Sequence, residues 1–166
     1  MTIGHAGWVS FSHSLTPAGT SDDRRESRVA TWNDLVRYVR LRYEVMRGDE
    51  NEVRILYRLG DHDEDSIFEQ RTQVMVLARE VLDKQEDWVQ VATPFARVDD
   101  VDVKAVLEEM GQTTVVGGAV IMGEWLVLRH SLPLRNLQYN ELDDPLHLVA
   151  SAADTLEHRF VGGDNF

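Results

Sequence analysis

Cysteine is absent from all 166 residues, which excludes disulfides, thiolate metal centres and a thiol nucleophile, and suits a reducing compartment. Positive charge is scarce: 17 Lys and Arg face 29 Asp and Glu, for a formal net charge of -12, and only Lys84 and Lys104 are lysines. Phosphate backbones demand clustered cations, so nucleic acid is excluded as an expected partner. Long apolar runs are also missing. The opening Met1-Thr2-Ile3-Gly4-His5 carries no basic region, so the expectation is no leader, no membrane span and a cytoplasmic location. What remains is 43% hydrophobic residues, enough for one α+β core.

Residues 1–28 read as an N-terminal tail, although Ile3, Trp8, Val9, Phe11 and Leu15 are apolar enough to dock on the body; residues 29–166 read as the folded domain. Thr31 with Asp34 resembles a capping box, and Trp32, Val36, Val39 and Tyr43 follow at helical spacing, which predicts a helix through about Met46. Alternation predicts strands over Glu52 to Leu59, Arg71 to Val81 and Trp88 to Val98. Asp99 and Asp100 offer caps for a short helix ended by Gly111. Val115 to Met122 and Trp125 to Leu132 form a hairpin around Gly123-Glu124, where a leading glycine suits a type II′ turn. A last helix from about Glu141 to Val161 places Leu142, Leu146, Val149, Ala153, Leu156 and Phe160 on one stripe. The expected fold is α+β in the order α-β-β-β-α-β-β-α: a single antiparallel five-stranded sheet with helices packed mainly on one face.

Three segments carry a family likeness: Trp88-Val89-Gln90-Val91-Ala92-Thr93-Pro94, the run Gly123 to Leu134, and the closing helix with Ala153-Asp154. With the element order, they make residues 29–161 resemble the type III secretion chaperone-like fold, including the YbjN-type domains grouped with it as peptide-binding modules. The resemblance implies a small acidic protein, usually a homodimer, whose surfaces hold an extended or partly unfolded segment of a client polypeptide. It carries no catalytic signature.

Candidate chemistry is thin. Asp61-His62-Asp63-Glu64-Asp65 alternates oxygen ligands, yet a calcium loop needs glycine at its sixth position and glutamate at its twelfth, where Ser66 and Thr72 stand. None of the six histidines shows the spacing of a zinc hydrolase. There is no Gly-x-Ser-x-Gly elbow, and Gly117-Gly118 lacks the lysine of a phosphate-binding loop. His130 as general base with Glu124 is the alternative, enzymatic reading. A structural or regulatory homodimer without a client groove is another. The expectation is no enzyme, no metal and no cofactor.

The more informative feature is the second side of the sheet. If Val53, Ile55, Tyr57, Val74, Val76, Leu126 and Leu128 face the helices, then Arg54, Leu56, Arg58, Met75, Leu77, Arg79, Trp125, Val127 and Arg129 face away. Apolar groups and arginines on one surface suit polypeptide recognition, because Met and Trp give adaptable area and Arg binds carboxylates and carbonyls. These nine residues are the candidate peptide-binding site.

Overall fold

The computed structural model describes residues 30–60, 71–114 and 116–162. Helix α1 spans Trp32–Arg42, and Thr31 caps it by accepting from the Asp34 amide at 3.2 Å. Trp32, Leu35 and Val39 form its buried stripe. The helix stops four residues short of the expected Met46, because Tyr43 turns extended with ψ 154°. Glu44–Gly48 then becomes a strand, β1. The Asp49 carboxylate accepts from the amides of Asn51 and Glu52, both at 2.9 Å. That side-chain turn reverses the chain into β2, Glu52–Leu59.

Strands β3 (Arg71–Leu82) and β4 (Glu86–Arg97) form a long hairpin. Asp83 and Lys84 hold φ of 51° and 60° at its tip, a pair of positive values that matches the right-handed twist of the flanking strands. Helix α2 spans Val103–Thr113 and is capped by Asp102. Asp99 and Asp100, the expected caps, belong instead to a preceding 3-10 turn. The helix also runs through Gly111 rather than ending there. Strands β5 (Gly118–Met122) and β6 (Trp125–Pro133) meet at Gly123, whose φ of 62° fits the expected turn. A 3-10 turn, Tyr139–Leu142, leads into α3, Asp143–Phe160.

Among the described residues the fold is thus α+β with an antiparallel sheet and three helices, but the sheet has six strands, in the order β1-β2-β3-β4-β6-β5. The added strand is β1, paired to β2 and irregular between Val45 and Arg47. Pro94 sits in a central strand, where a missing amide is normally costly; the register slips between Pro94 and Ala96, so the proline occupies a bulge. A Cβ on Gly117, at φ 90°, would come within 2.8 Å of the Arg129 carbonyl oxygen. Only glycine lets the chain enter β5 so close to β6.

All three helices bury side chains in one core with Val53, Ile55, Met75, Leu77, Val91 and Leu128 of the sheet. Helix α3 packs chiefly over β4. Pairing fixes the facing of every strand, since residues directly opposite share a side. Leu77 stands between Val53 and Val91, toward the helices; its neighbour Val76 stands between Arg54 and Ala92, on the other side.

The expected facing of β3 is therefore reversed. Met75 and Leu77 are fully buried under the helices. Arg79 lies opposite buried Val89 and forms a forked ion pair with Asp87 at 2.9 to 3.1 Å, clamping the hairpin. Val74 and Val76, expected inside, face away. The N-terminal tail and the Asp61 to Asp65 loop lie outside the described residues.

Candidate functional site: the sheet face away from the helices

The side of the sheet away from the helices carries Arg54, Leu56 and Arg58 from β2, then Val74, Val76 and Ala78 from β3. Beside them lie Trp88, Gln90 and Ala92 from β4, Trp125, Val127 and Arg129 from β6, and Val120 from β5. Ala92 and Val127 are buried on this side, whereas Leu56, Val74, Val76, Ala78, Trp88, Val120 and Trp125 are half-buried and none of these packs against the helix-side core. Six of the nine expected site residues share this face; Met75, Leu77 and Arg79 do not. Val74, Val76, Ala78, Trp88, Gln90, Ala92 and Val120 join it unannounced. The signal for the β4 members was present: Val89, Val91, Thr93 and Phe95 alternate inward, so Trp88, Gln90 and Ala92 must alternate outward.

Charge is arranged around the apolar strip. Arg54 pairs with Glu52 at 2.6 Å, Arg58 with Glu44, and Arg97 with Glu124 at 2.7 Å. Arg97 also lies over the Trp125 ring, 5.4 Å from its centroid. Arg129 is exposed, and among the described residues no carboxylate pairs with it. Among the described residues two polar side-chain atoms on the same face, the Trp88 Nε1 and the Gln90 Oε1, are buried without a hydrogen-bond partner.

A second polar cluster lies on the helix side. Tyr38 and Tyr43 donate to the two Asp143 oxygens at 2.8 and 2.6 Å, Arg42 pairs with Asp143 at 3.3 Å, and the Tyr57 and Tyr43 rings sit 6.0 Å apart. Burial first, and then the hydrogen bond to Asp143, raise the Tyr38 and Tyr43 phenols above their ordinary range; burial and the Asp143 charge raise Tyr57. Phenols held protonated in this way are donors rather than nucleophiles. Their work is to tie α1 and β1 to the first turn of α3, where a carboxylate also complements the helix dipole.

Inside the core, the Thr93 hydroxyl donates to the Gln73 side-chain Oε1 at 3.1 Å and the Gln73 Nε2 donates to buried Glu157 at 2.9 Å. This chain links β4, β3 and α3. His130 lies opposite Val91 on the helix side, whereas Glu124 is in the β5–β6 turn, bound to Arg97. Six residues of extended chain separate the two, roughly 20 Å at strand rise, so the structure does not assemble the alternative acid–base pair. Among the described residues no three His, Asp or Glu side chains gather as a metal site. Nor is any helix there long and apolar enough to cross a membrane. No protein-family model matches the chain, and no curated protein is significantly similar to it.

Proposed function

We propose that this is a chaperone-like or adaptor protein of the cytoplasm that holds an extended segment of a client polypeptide on the sheet face away from the helices, with no catalysis of its own. The observation that carries the reading is that face: a strip of half-buried Leu56, Val74, Val76 and Val120 lying outside the helix-side core and flanked by arginines and two tryptophans. An occupant covering about 300 Å² of apolar surface would gain roughly 7 kcal/mol before ordering costs. Micromolar affinity is therefore expected, suited to capture and release. The likeness to type III secretion chaperone-like and YbjN-type domains supports the same reading.

The test is panning of a random twelve-residue peptide display library against the full chain, with recovered peptides synthesised and titrated by fluorescence anisotropy. Leu56→Asp combined with Trp125→Ala should weaken them more than tenfold while leaving the urea midpoint in place. Recovery of no binder, or undiminished binding to that double variant, would remove the proposal.

A second reading, self-association, is favoured by β5. Its five residues are uncharged, and Ile121 and Met122 are 58% and 48% exposed at the sheet margin. Pairing antiparallel with its own copy about Val120 sets Gly118 against Met122 and Ala119 against Ile121, small against large throughout. The opposite margin, β1, is bulged and carries Glu44 and Arg47, features that discourage pairing. A monomer by light scattering at 50 to 100 times micromolar concentration, or a dimer undisturbed by Val120→Pro, would remove this reading.

A further inference from the structure

We infer that the chain's own residues 9–15 add to the edge of β5 as a further strand, antiparallel to it and within one molecule. This stands apart from the client-binding reading and competes with the pairing of two copies at β5.

Among the described residues β5 is the last strand of the sheet, so one row of its backbone amides and carbonyls faces outward. Its Ile121 and Met122 are 58% and 48% exposed, and nothing in Gly118–Met122 is charged. The other edge, β1, is bulged and carries Glu44 and Arg47, which discourages an addition there.

Residues 9–15 match the β5 edge. Val9, Phe11, His13 and Leu15 alternate with Ser10, Ser12 and Ser14, the period of two that gives a strand an apolar and a polar side. Residues 1–21 hold no Asp, Glu, Lys or Arg in a chain that is 28% charged, so this segment can lie along an apolar edge without desolvating an ion. Pro17 follows Leu15 by two positions and, lacking an amide, ends the pairing.

The connection also fits. Trp32 donates its indole Nε1 to the Glu50 carbonyl at 2.8 Å, which sets the start of α1 beside the β1–β2 turn. Glu52 at that turn is level, through successive pairs, with Ala78, Gln90 and Ser131, and Gly118 pairs with nearby Arg129. The Gly118 end of β5 therefore lies at the same end of the sheet as the start of α1. A strand antiparallel to β5 finishes at that end, with Leu15 leading back toward Ala30. Crossing from β1 to a position beyond β5 takes roughly 29 Å, and residues 16–29 reach roughly 45 Å when extended. A linker of this kind holds the segment at about millimolar local concentration, so at micromolar protein it outcompetes a second copy.

One register covers both exposed side chains. Val9 opposite Ile121 and Trp8 opposite Met122 bring Phe11 to Ala119, Ser10 to Val120 and Ser12 to Gly118. Phe11 then lies on the helix side, where Ala119 already packs against the core.

The chain has no native cysteine, so introduced thiols report this register directly. Ser10→Cys with Val120→Cys sets two thiols opposite each other, whereas Ser14→Cys with Val120→Cys sets them about 13 Å apart along the strand. Under mild oxidation of the full chain at micromolar concentration, the first pair should close at least about tenfold faster than the second, and non-reducing electrophoresis should show monomers. Amide hydrogen exchange in β5 should speed up about tenfold or more in Ser12→Pro with His13→Pro, because one of two adjacent amides must face β5. Thr20→Pro with Ser21→Pro, in the linker, should leave it unchanged. Equal closure or no closure by the two pairs, disulfide-linked dimers, or β5 exchange that ignores the Ser12 and His13 prolines overturns the inference.

Discussion

Two adjacent residues of β3 should respond to the same operation in opposite ways. Leu77 is fully buried beneath the helices, whereas Val76 is half-buried on the side away from them and outside the core. Truncating Leu77 to Ala removes apolar volume from a packed interior, which costs about 2–5 kcal/mol. Truncating Val76 to Ala removes two methyl groups that are each worth about 0.8 kcal/mol when fully buried, so about 1 kcal/mol or less here. For a chain of this length one kcal/mol moves Tm by roughly 2–4 °C, so Leu77→Ala should lower it by about 4–20 °C and Val76→Ala by no more than about 4 °C. Urea titrations followed by tryptophan fluorescence should show the same order at an unchanged slope. Peptide affinity should reverse it, with Val76→Ala weakening the panned peptides and Leu77→Ala, under conditions where it is folded, leaving them alone. Equal destabilisation by the two variants would mean that the chain's own interior seals both sides of the sheet, and the argument for a binding face would fail.

Three further outcomes follow from the packing and electrostatics. The Tyr43 phenol is raised in the folded state above its ordinary value of 10.0, so the unfolded chain loses that proton first; stability should be flat below about pH 9 and fall as pH rises past 10, and Tyr43→Phe should flatten the fall in alkaline urea titrations. Gln73→Ala removes one acceptor of the Thr93 hydroxyl and one donor to the buried Glu157 carboxylate and should cost about 1–3 kcal/mol, against less than about 0.5 kcal/mol for Thr72→Ala next to it on the partly open side; equal losses by chemical denaturation would contradict the network. Gly117→Ala forces a side chain into positive φ and against a backbone carbonyl, and should cost about 1–3 kcal/mol with fast hydrogen exchange appearing in β5; a silent substitution would refute the close approach of the two strands.

The sequence made legible the helices, five of the six strands, the β5–β6 turn and the single antiparallel layer, because period and turn chemistry are local. It hid β1. Tyr43 and Met46 continue the α1 spacing, and only pairing with β2 draws Glu44–Gly48 into the sheet. It also concealed the facing of β3. Val74 and Val76 are as apolar as Met75 and Leu77, so alternation had no polar side to reveal, and the hydrogen-bonded register with β2 and β4 decides the matter. The β2 and β6 members of the candidate site were readable because arginines mark their outward positions. Asp102 displaced Asp99 and Asp100 as the α2 cap because an intervening 3-10 turn cannot be read from capping residues alone.

The two margins of the sheet differ, one broken by a bulge and charged, the other plain and neutral. Strand-to-strand growth can therefore begin on one flank only and uses up that flank when it does, so it ends at a pair of molecules and cannot propagate into a fibre. A client strand that took the β5 flank would compete with the second copy, making the quaternary state a readout of cargo.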